Sequence, residues 1–134
     1  FFEPTTSIGG YGEMHYDIIS ASKNDHKVFW HENEGHLTFK THEIAPQAQG
    51  ASSLTVNDMD HDGDFDIVIG SEDNDKITWY ENQGDLDFIE HVISHSADGA
   101  SSIITTDLDQ NGSLDVVATF YASDKILWYS GESL

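Results

Sequence analysis

Cysteine and arginine are both absent from the 134 residues of this chain. Without cysteine, the protein has no disulfide framework and no thiolate metal site. Its five lysines stand against 25 aspartate and glutamate residues, so the formal net charge is −20 at pH 7. Such an acidic surface repels the phosphates of nucleic acids and the headgroups of anionic membranes. Nucleic acid is therefore not an expected partner.

Long apolar runs are also missing, and none approaches the roughly 20 residues that a membrane-spanning helix needs. Membrane insertion is accordingly not expected. No stretch shows the 3.6-residue hydrophobic period of an amphipathic helix. The chain is nevertheless 37% hydrophobic and 11% aromatic, which is too much for a disordered acidic tail. The sequence therefore predicts a folded, almost entirely β protein, whose acids are solvated or bind cations.

A repeat of 49 residues organises the chain. Trp30, Trp79 and Trp128 are separated by this interval, and the residues around them keep the same register. The recurring segments are Asp17–Ile19, Asp66–Val68 and Asp115–Val117, followed by Lys27–Trp30, Lys76–Tyr80 and Lys125–Tyr129. A fixed period of this length is typical of propellers and solenoids.

Three repeats follow from this register: residues 1–49, residues 50–98 and residues 99–134. The pattern of the second repeat predicts four strands, each rich in β-branched and aromatic residues and bounded by Gly, Asn or Asp. They are expected near residues 53–57, 65–71, 76–81 and 87–93. About three four-stranded antiparallel sheets, arranged as β-propeller blades, are the predicted architecture. The third repeat ends before its fourth strand.

An aspartate-rich loop precedes the second predicted strand of two repeats. In the second repeat it runs from residue 58 to residue 66, with acids at alternate positions and Gly63 at the sixth. Alternating acids on a tight turn bring several oxygen ligands to one point, as calcium requires. The predicted metal ligands are Asp58, Asp60, Asp62, Asp66 and the backbone carbonyl of Asp64.

The third repeat carries the same loop from residue 107 to residue 115. Its predicted ligands are Asp107, Asp109, Asn111, Asp115 and the backbone carbonyl of Ser113. Because Asn111 replaces one carboxylate, we expect this loop to bind calcium more weakly than the loop of the second repeat. Two calcium ions per chain are therefore predicted.

An EF-hand is the main alternative for such loops. An EF-hand loop lies between two helices and ends with a bidentate glutamate at position 12. Position 12 is here Ile69 or Ala118, within a β-branched run. The acid at position 9 must close the site instead. The first repeat has Gly9, Tyr11 and Glu13 at the corresponding places, so no comparable ion is expected there.

These loops, the Lys-Ile-x-Trp-Tyr strands and the segment Trp79–Asp85 make the chain resemble the FG-GAP/VCBS repeat family of integrin-like propellers. The resemblance covers nearly the whole chain. It implies that the aspartate loops bind calcium structurally, between the first two strands of a blade. It also implies an extracellular or cell-surface location, in proteins that bind surfaces or process polysaccharides.

Closed propellers need at least four blades, and the family usually has six to eight. The ring is therefore expected to be completed by missing sequence or by self-association, for example by a dimer with six blades. Residues 1–3 resemble the start of the fourth strand at Phe88–Glu90, which suggests that they complete the third sheet of a neighbouring copy.

Three classes of function remain open. The first is a calcium-stabilised, lectin-like binding module that recognises glycans or a cell-surface protein. The second is the propeller part of a lyase-like polysaccharide-processing enzyme, although no catalytic residue stands out and an enzyme is not expected. The third is a structural or assembly segment. The three tryptophans favour packing between blades over sugar stacking, and no ligand-binding residue is assigned.

Overall fold

The computed structural model describes residues 2–5, 15–45 and 48–134, and it is built from three antiparallel sheets. The first contains β1 (Phe2–Thr5), β2 (His15–Ser22), β3 (Lys27–Gly35) and β4 (Thr38–Ala45). The second contains β5 (Ala51–Asn57), β6 (Asp66–Ser71), β7 (Lys76–Asn82) and β8 (Phe88–Ser94). The third contains β9 (Ala100–Thr106), β10 (Asp115–Phe120) and β11 (Lys125–Tyr129), and a short 3-10 turn follows at Gly131–Ser133.

The predicted all-β class is confirmed, and the four strands expected in the second repeat appear within two residues of their predicted bounds. Each sheet is a meander in which consecutive strands are hydrogen-bonded. The second and third strands are joined by tight polar turns that end in a left-handed residue. These residues are His26, Asp75 and Asp124, with φ of 58°, 54° and 52°. The 49-residue repeat is therefore visible in the backbone as well as in the sequence.

The amino-terminal strand differs from expectation. Phe2–Thr5 pairs with β2 and is the first strand of its own sheet, whereas the segment that it resembles, Phe88–Glu90, lies in a fourth strand. Its register also departs from the repeat: Thr5 lies opposite His15, whereas the pairing of Leu54 with Ile69 in the second sheet corresponds to Thr5 opposite Ser20. The short apolar similarity to Phe88–Glu90 was too weak to distinguish a first strand from a fourth.

Two apolar cores lie on opposite faces of the second sheet. Towards the first sheet, Ile67 and Ile69 pack with Val28 and Leu54. Towards the third sheet, the buried cluster consists mainly of Met59, Val68, Ile77, Trp79, Ile103, Val116 and Phe120. All six residues of β6 are buried. The second sheet is thus covered on both sides, which explains why its central strands lack a simple polar–apolar alternation.

Neighbouring sheets also meet through their first strands. The hydroxyl of Ser52 on β5 donates to the carbonyl oxygen of Ala100 at 2.9 Å. The backbone amide of Ile103 on β9 donates to the hydroxyl of Ser53 at 3.0 Å. These bonds fix the stagger between the second and third sheets, so the two aspartate loops occupy equivalent places in successive sheets.

Candidate metal centres

The loop of the second repeat connects β5 to β6 in a single tight turn. Its fourth residue, His61, has a φ of 64°, and Gly63 has a φ of 100°. The latter conformation is accessible to glycine and strained for other residues. In the third repeat, Gln110 and Gly112 adopt nearly the same angles, 62° and 95°. Both loops therefore fold alike, with the reversal of direction at the glycine.

Backbone amides hold the acids of the second-repeat loop in place. Asp58 accepts hydrogen bonds from the amides of Asp62 at 3.1 Å and Gly63 at 3.2 Å. Asp60 also accepts from the amide of Asp62, at 3.1 Å. The result is a convergent group in which Asp58, Asp60 and Asp66 each place one oxygen within 4.8 Å of the others.

The third-repeat loop reproduces this arrangement. Asp107, Asp109 and Asp115 form the corresponding group, again with one oxygen from each within 4.8 Å of the others. Asp107 accepts from the amides of Asn111 and Gly112, both at 3.0 Å. These two groups are the clusters of potential metal ligands in the part of the chain that the structure describes. Each of them could hold a metal ion.

Asn111 differs from its equivalent Asp62 in the atom that it offers to the cluster. Both side chains accept the amide two residues later through Oδ1, at 2.8 Å. In Asn111 the other terminal atom is nitrogen, and it donates to Asp109 Oδ2 at 3.1 Å. A nitrogen that donates a hydrogen bond cannot ligate a cation, so in this orientation Asn111 contributes no second oxygen.

The buried aspartate at position 9 has a structural role that the sequence analysis missed. Asp66 accepts the amide of Met59 at 2.9 Å and the amide of Asn82 at 2.8 Å. Asp115 similarly accepts the amides of Leu108 and Gly131, both at 2.8 Å. This residue therefore ties the start of the loop to the end of the third strand, besides facing the ion site.

The first repeat keeps part of this arrangement. Asp17 is buried, and it accepts the amide of Asn33 at 2.8 Å, as Asp66 accepts that of Asn82. The recurrence of Asp17, Asp66 and Asp115 at 49-residue intervals was the available signal for this role. The residues at which no ion was expected, Gly9, Tyr11 and Glu13, lie outside the described part of the chain.

The electrostatics of the two groups differ. Burial raises the pKa of Asp66 above its ordinary value, against the opposing effect of the amides of Asn82 and Met59. The pKa of Asp60 is also raised, by burial and by the nearby charges of Asp62, Glu81 and Asp58. In contrast, the amide of Gly131 lowers the pKa of Asp115. Nearby negative charges thus contribute to the raised pKa values of Asp60 and Asp66, and a cation would relieve this contribution.

Not every predicted ligand belongs to the convergent groups. Asp62 lies on the same loop but outside the cluster of three, and Asp64 and Ser113 were predicted to act only through their carbonyl oxygens. The donor sets consist of carboxylate oxygens and contain neither sulfur nor imidazole. Hard cations such as Ca²⁺ and Mg²⁺ prefer such ligands. The residues present therefore fit a calcium ion.

A cleft lies beside the second-repeat loop, between the first and second sheets. Its volume is about 570 Å³. Its described lining includes both aromatic residues and carboxylates, among them Trp30, Glu32, Asp64, Phe65, Asp85 and Phe88. Trp79 does not belong to the described lining of this cleft. It is 8% exposed, as expected for a residue that packs between sheets.

The three successive antiparallel sheets each carry a buried aspartate at the equivalent position of their second strand: Asp17, Asp66 and Asp115. Together they define a β-propeller-type repeat module. The FG-GAP-like repeat model matches residues 13–69 and again residues 58–118. These matches cover most of the chain, so it belongs to the FG-GAP-like repeat family. No curated protein matches the chain significantly. Among the described residues, no helix is long and apolar enough to cross a membrane.

Proposed function

We propose that this chain is a calcium-stabilised β-propeller binding module that recognises glycans or a cell-surface protein outside the cell. The observation that carries the proposal is the duplicated group of three converging carboxylates. In each loop, backbone amides hold these carboxylates together although their charges repel one another. A divalent cation turns this repulsion into attraction, and its binding energy then contributes to the stability of the fold.

The cation would act as a staple between strands. Asp58 follows β5 directly, and Asp66 is the first residue of β6. An ion held by both residues joins the two strands at the end where the hydrogen bonding between them stops. The third repeat offers the same connection through Asp107 and Asp115. Without cysteine, the protein lacks disulfides as an alternative cross-link.

Titration calorimetry with Ca²⁺ tests this part of the proposal. The wild-type chain is expected to bind two ions, and Asp58→Ala and Asp107→Ala are each expected to lose one. The site that remains in Asp107→Ala should be the tighter one, because the second-repeat loop carries one more carboxylate. Equal affinities in the two variants would contradict this order, and the absence of any heat of binding would reject the calcium sites.

The cleft between the first and second sheets is the proposed ligand surface. Aromatic faces stack on sugar rings, and carboxylates accept hydrogen bonds from hydroxyl groups. Phe65 is 45% exposed and is the eighth residue of the second-repeat loop. Calcium bound in that loop would therefore position part of the cleft wall, which makes ligand binding sensitive to chelation.

A glycan array probed with and without EGTA tests this second part. We expect binding that is lost with EGTA and reduced by Phe65→Ala. Tyr121→Ala is the matched control, since Tyr121 is an exposed aromatic residue outside the cleft, and it should leave binding unchanged. Retention of full binding by Phe65→Ala would remove the cleft from the proposal.

We propose binding rather than catalysis because the described lining of the cleft places no serine, threonine, cysteine, lysine or tyrosine beside the pair of His42 and Glu32. Incubation with acidic polysaccharides, followed at the absorbance of unsaturated products, checks this point, and product formation would favour the lyase-like alternative. An extracellular location fits calcium sites of modest affinity, because calcium concentrations there reach the millimolar range.

We also propose that chains self-associate to complete a ring. The outward face of the third sheet exposes Ile126, Trp128 and Leu108, whose counterparts in the second sheet are covered by the next sheet. The net charge of −20 opposes association, so calcium should favour it. Light scattering at increasing protein concentration, with calcium present, should show twice the mass of one chain. A single-chain mass at every concentration would exclude the dimer.

A further inference from the structure

The second- and third-repeat loops are neighbours at the interface between the second and third sheets. A small cavity of about 210 Å³ lies between them. Its described lining includes Met59, Asp60 and His61 from one loop, and Ser113 and Leu114 from the other. Residues that form or flank the two candidate ion sites therefore border the same space.

Met59 connects the second-repeat loop to the third sheet. It stands between Asp58 and Asp60, which are two members of the converging group. Its backbone amide donates to the third member, Asp66, at 2.9 Å. Its side chain is buried in an apolar cluster that also contains Ile103 of the third sheet. The position of Met59 therefore depends on the ion site and on the third sheet at once.

Leu114 reaches the same apolar cluster from the third-repeat loop. Its side chain is partly buried and packs against the cluster that contains Met59. In the chain, Leu114 lies between Ser113, whose carbonyl oxygen is a predicted ligand, and Asp115, a member of the second converging group. One apolar cluster thus joins a residue flanked by ligands of one site to a residue flanked by ligands of the other.

A second connection between the loops consists of hydrogen bonds. The side chain of Asn57 accepts the backbone amide of Asp58 at 3.1 Å, and its Nδ2 atom donates to the hydroxyl of Thr105 at 3.2 Å. Thr105 lies on β9, two residues before Asp107, the first acid of the third-repeat loop. Asn57 therefore ties the start of one loop to the strand that leads into the other.

We propose that the two ion sites are coupled through Met59 and Asn57, so that calcium bound in either loop raises the affinity of the other loop. This coupling presupposes the calcium sites of the proposed function. An ion in the second-repeat loop holds the segment that carries both positioning residues. The surface against which Leu114 packs is then already ordered, so the third-repeat loop loses less conformational freedom when it binds its own ion. Coupling between two binding sites is reciprocal, so the same factor applies in both directions.

Leu108 provides a matched control for the role of Met59. The two residues occupy the same position of their loops, and both are apolar and of similar size. Met59 is 8% exposed, whereas Leu108 is 52% exposed. Truncation of Leu108 therefore removes an equivalent side chain without touching the apolar cluster between the loops.

Three titrations with Ca²⁺ and a calcium indicator measure the coupling factor. They use dilute protein in about 0.15 M KCl, where the repulsion between bound cations is screened over about 8 Å. The wild-type chain gives two stepwise association constants, and Asp107→Ala and Asp58→Ala each give the constant of one isolated site. The product of the two wild-type constants should exceed the product of the isolated-site constants about five-fold, at the lower end of typical couplings between sites.

Two variants at the interface identify the residues that carry the coupling. Met59→Ala, measured in the same three backgrounds, should abolish the excess, whereas Leu108→Ala should preserve it. Thr105→Val is a milder change that removes the acceptor of Asn57 and leaves the apolar cluster intact. It should reduce the coupling factor without abolishing it.

Hydrogen exchange gives a second readout, with an ion in the second-repeat loop only. In Asp107→Ala, calcium should slow the exchange of the amides of residues 113–115, and the addition of Met59→Ala should remove this protection. Two ions that bind independently in the wild type would overturn the coupling and leave the calcium sites intact. A coupling factor that persists unchanged in both Met59→Ala and Thr105→Val would also overturn it. If the chain bound no calcium at all, the proposed sites themselves would be rejected.

Discussion

The second and third sheets carry the same repeat, yet the same positions meet different surroundings. Ile77 and Trp79 are buried, whereas Ile126 and Trp128 are 72% and 48% exposed. The strands around them have the same antiparallel register. Burial in this fold is thus decided by the presence of a following sheet and a fourth strand, and only secondarily by the apolar pattern of the strand itself.

The buried aspartates Asp66 and Asp115 also have different surroundings in the two sheets. Asp66 has a sheet on either side, and burial raises its pKa. Asp115 has a neighbouring sheet on one side only, and the amides around it lower its pKa. Both side chains are inaccessible to solvent, but the pKa shifts are opposite because Asp115 has less protein around it and accepts a further amide hydrogen bond, from Asp109. The local fold is therefore encoded by the repeat, whereas burial and pKa shifts depend on the neighbouring sheets.

The largest expected effect comes from truncating the two equivalent isoleucines. Ile77→Ala should cost about 2–5 kcal/mol of unfolding free energy, because it leaves a cavity in a packed core. Ile126→Ala should cost less than about 0.5 kcal/mol, as for other exposed positions. Urea unfolding of dilute protein, at a concentration where the mass is that of one chain, measures both. Similar losses of unfolding free energy in the two variants would contradict this expectation.

The second-largest effect on stability is expected from replacing the buried aspartates Asp66 and Asp115. In the presence of chelator, Asp66→Ala leaves the amides of Met59 and Asn82 without their acceptor, at a cost of about 2–4 kcal/mol. Asp115→Ala should cost less, since Leu108 is 52% exposed and water can replace the lost bond. Chemical denaturation of both variants in EGTA checks the order. A larger loss for Asp115→Ala would contradict it.

A smaller effect is expected from exchanging the residues at position 5 of the loops. Asn111→Asp supplies a carboxylate oxygen in place of a nitrogen donor, and it should tighten calcium binding by about tenfold. It is measured by calorimetry in a chain that also carries Asp58→Ala, so that only the third-repeat loop binds. Asp62→Asn with Asp107→Ala is the reciprocal variant and should bind more weakly. Unchanged affinities would show that position 5 does not contact the ion.

The smallest effect concerns Tyr80, which packs against the core between the first and second sheets. Burial raises its pKa to about 12. Because this exceeds the value of about 10 in the unfolded chain, its contribution to stability is present below pH 10 and is lost as the pH rises towards 12. The unfolding free energy of Tyr80→Phe, measured with urea from pH 9 to 11.5, should depend less on pH than that of the wild type.

Much of the fold could be predicted because the repeat supplies three versions of one pattern. The strands around Trp79 and the turns at Gly63 and Gly112 follow from local residue preferences that agree across copies. The register of β1 could not be predicted, since Phe2–Thr5 has no close counterpart in the other first strands. Its pairing depends on contacts with β2 that leave no periodic signal.

The candidate sites were partly predictable for a similar reason. Alternating acids around a glycine identify a cation loop, and the structure brings together three acids in each. The role of Asp66 as an acceptor for two amides was not foreseen, because those amides belong to Met59 and to Asn82, which is 16 residues away. The nitrogen of Asn111 also escapes prediction, since its orientation depends on the hydrogen bond between Oδ1 and the amide of Ser113.

A thermal melt of the chain in EGTA, compared with a melt in millimolar Ca²⁺, tests the central claim most directly. If two ions join the strands that flank the loops, saturating calcium should raise the melting temperature by about 10 °C. Asp58→Ala combined with Asp107→Ala should abolish this rise. A wild-type melting temperature that is the same in EGTA and in calcium would contradict the account.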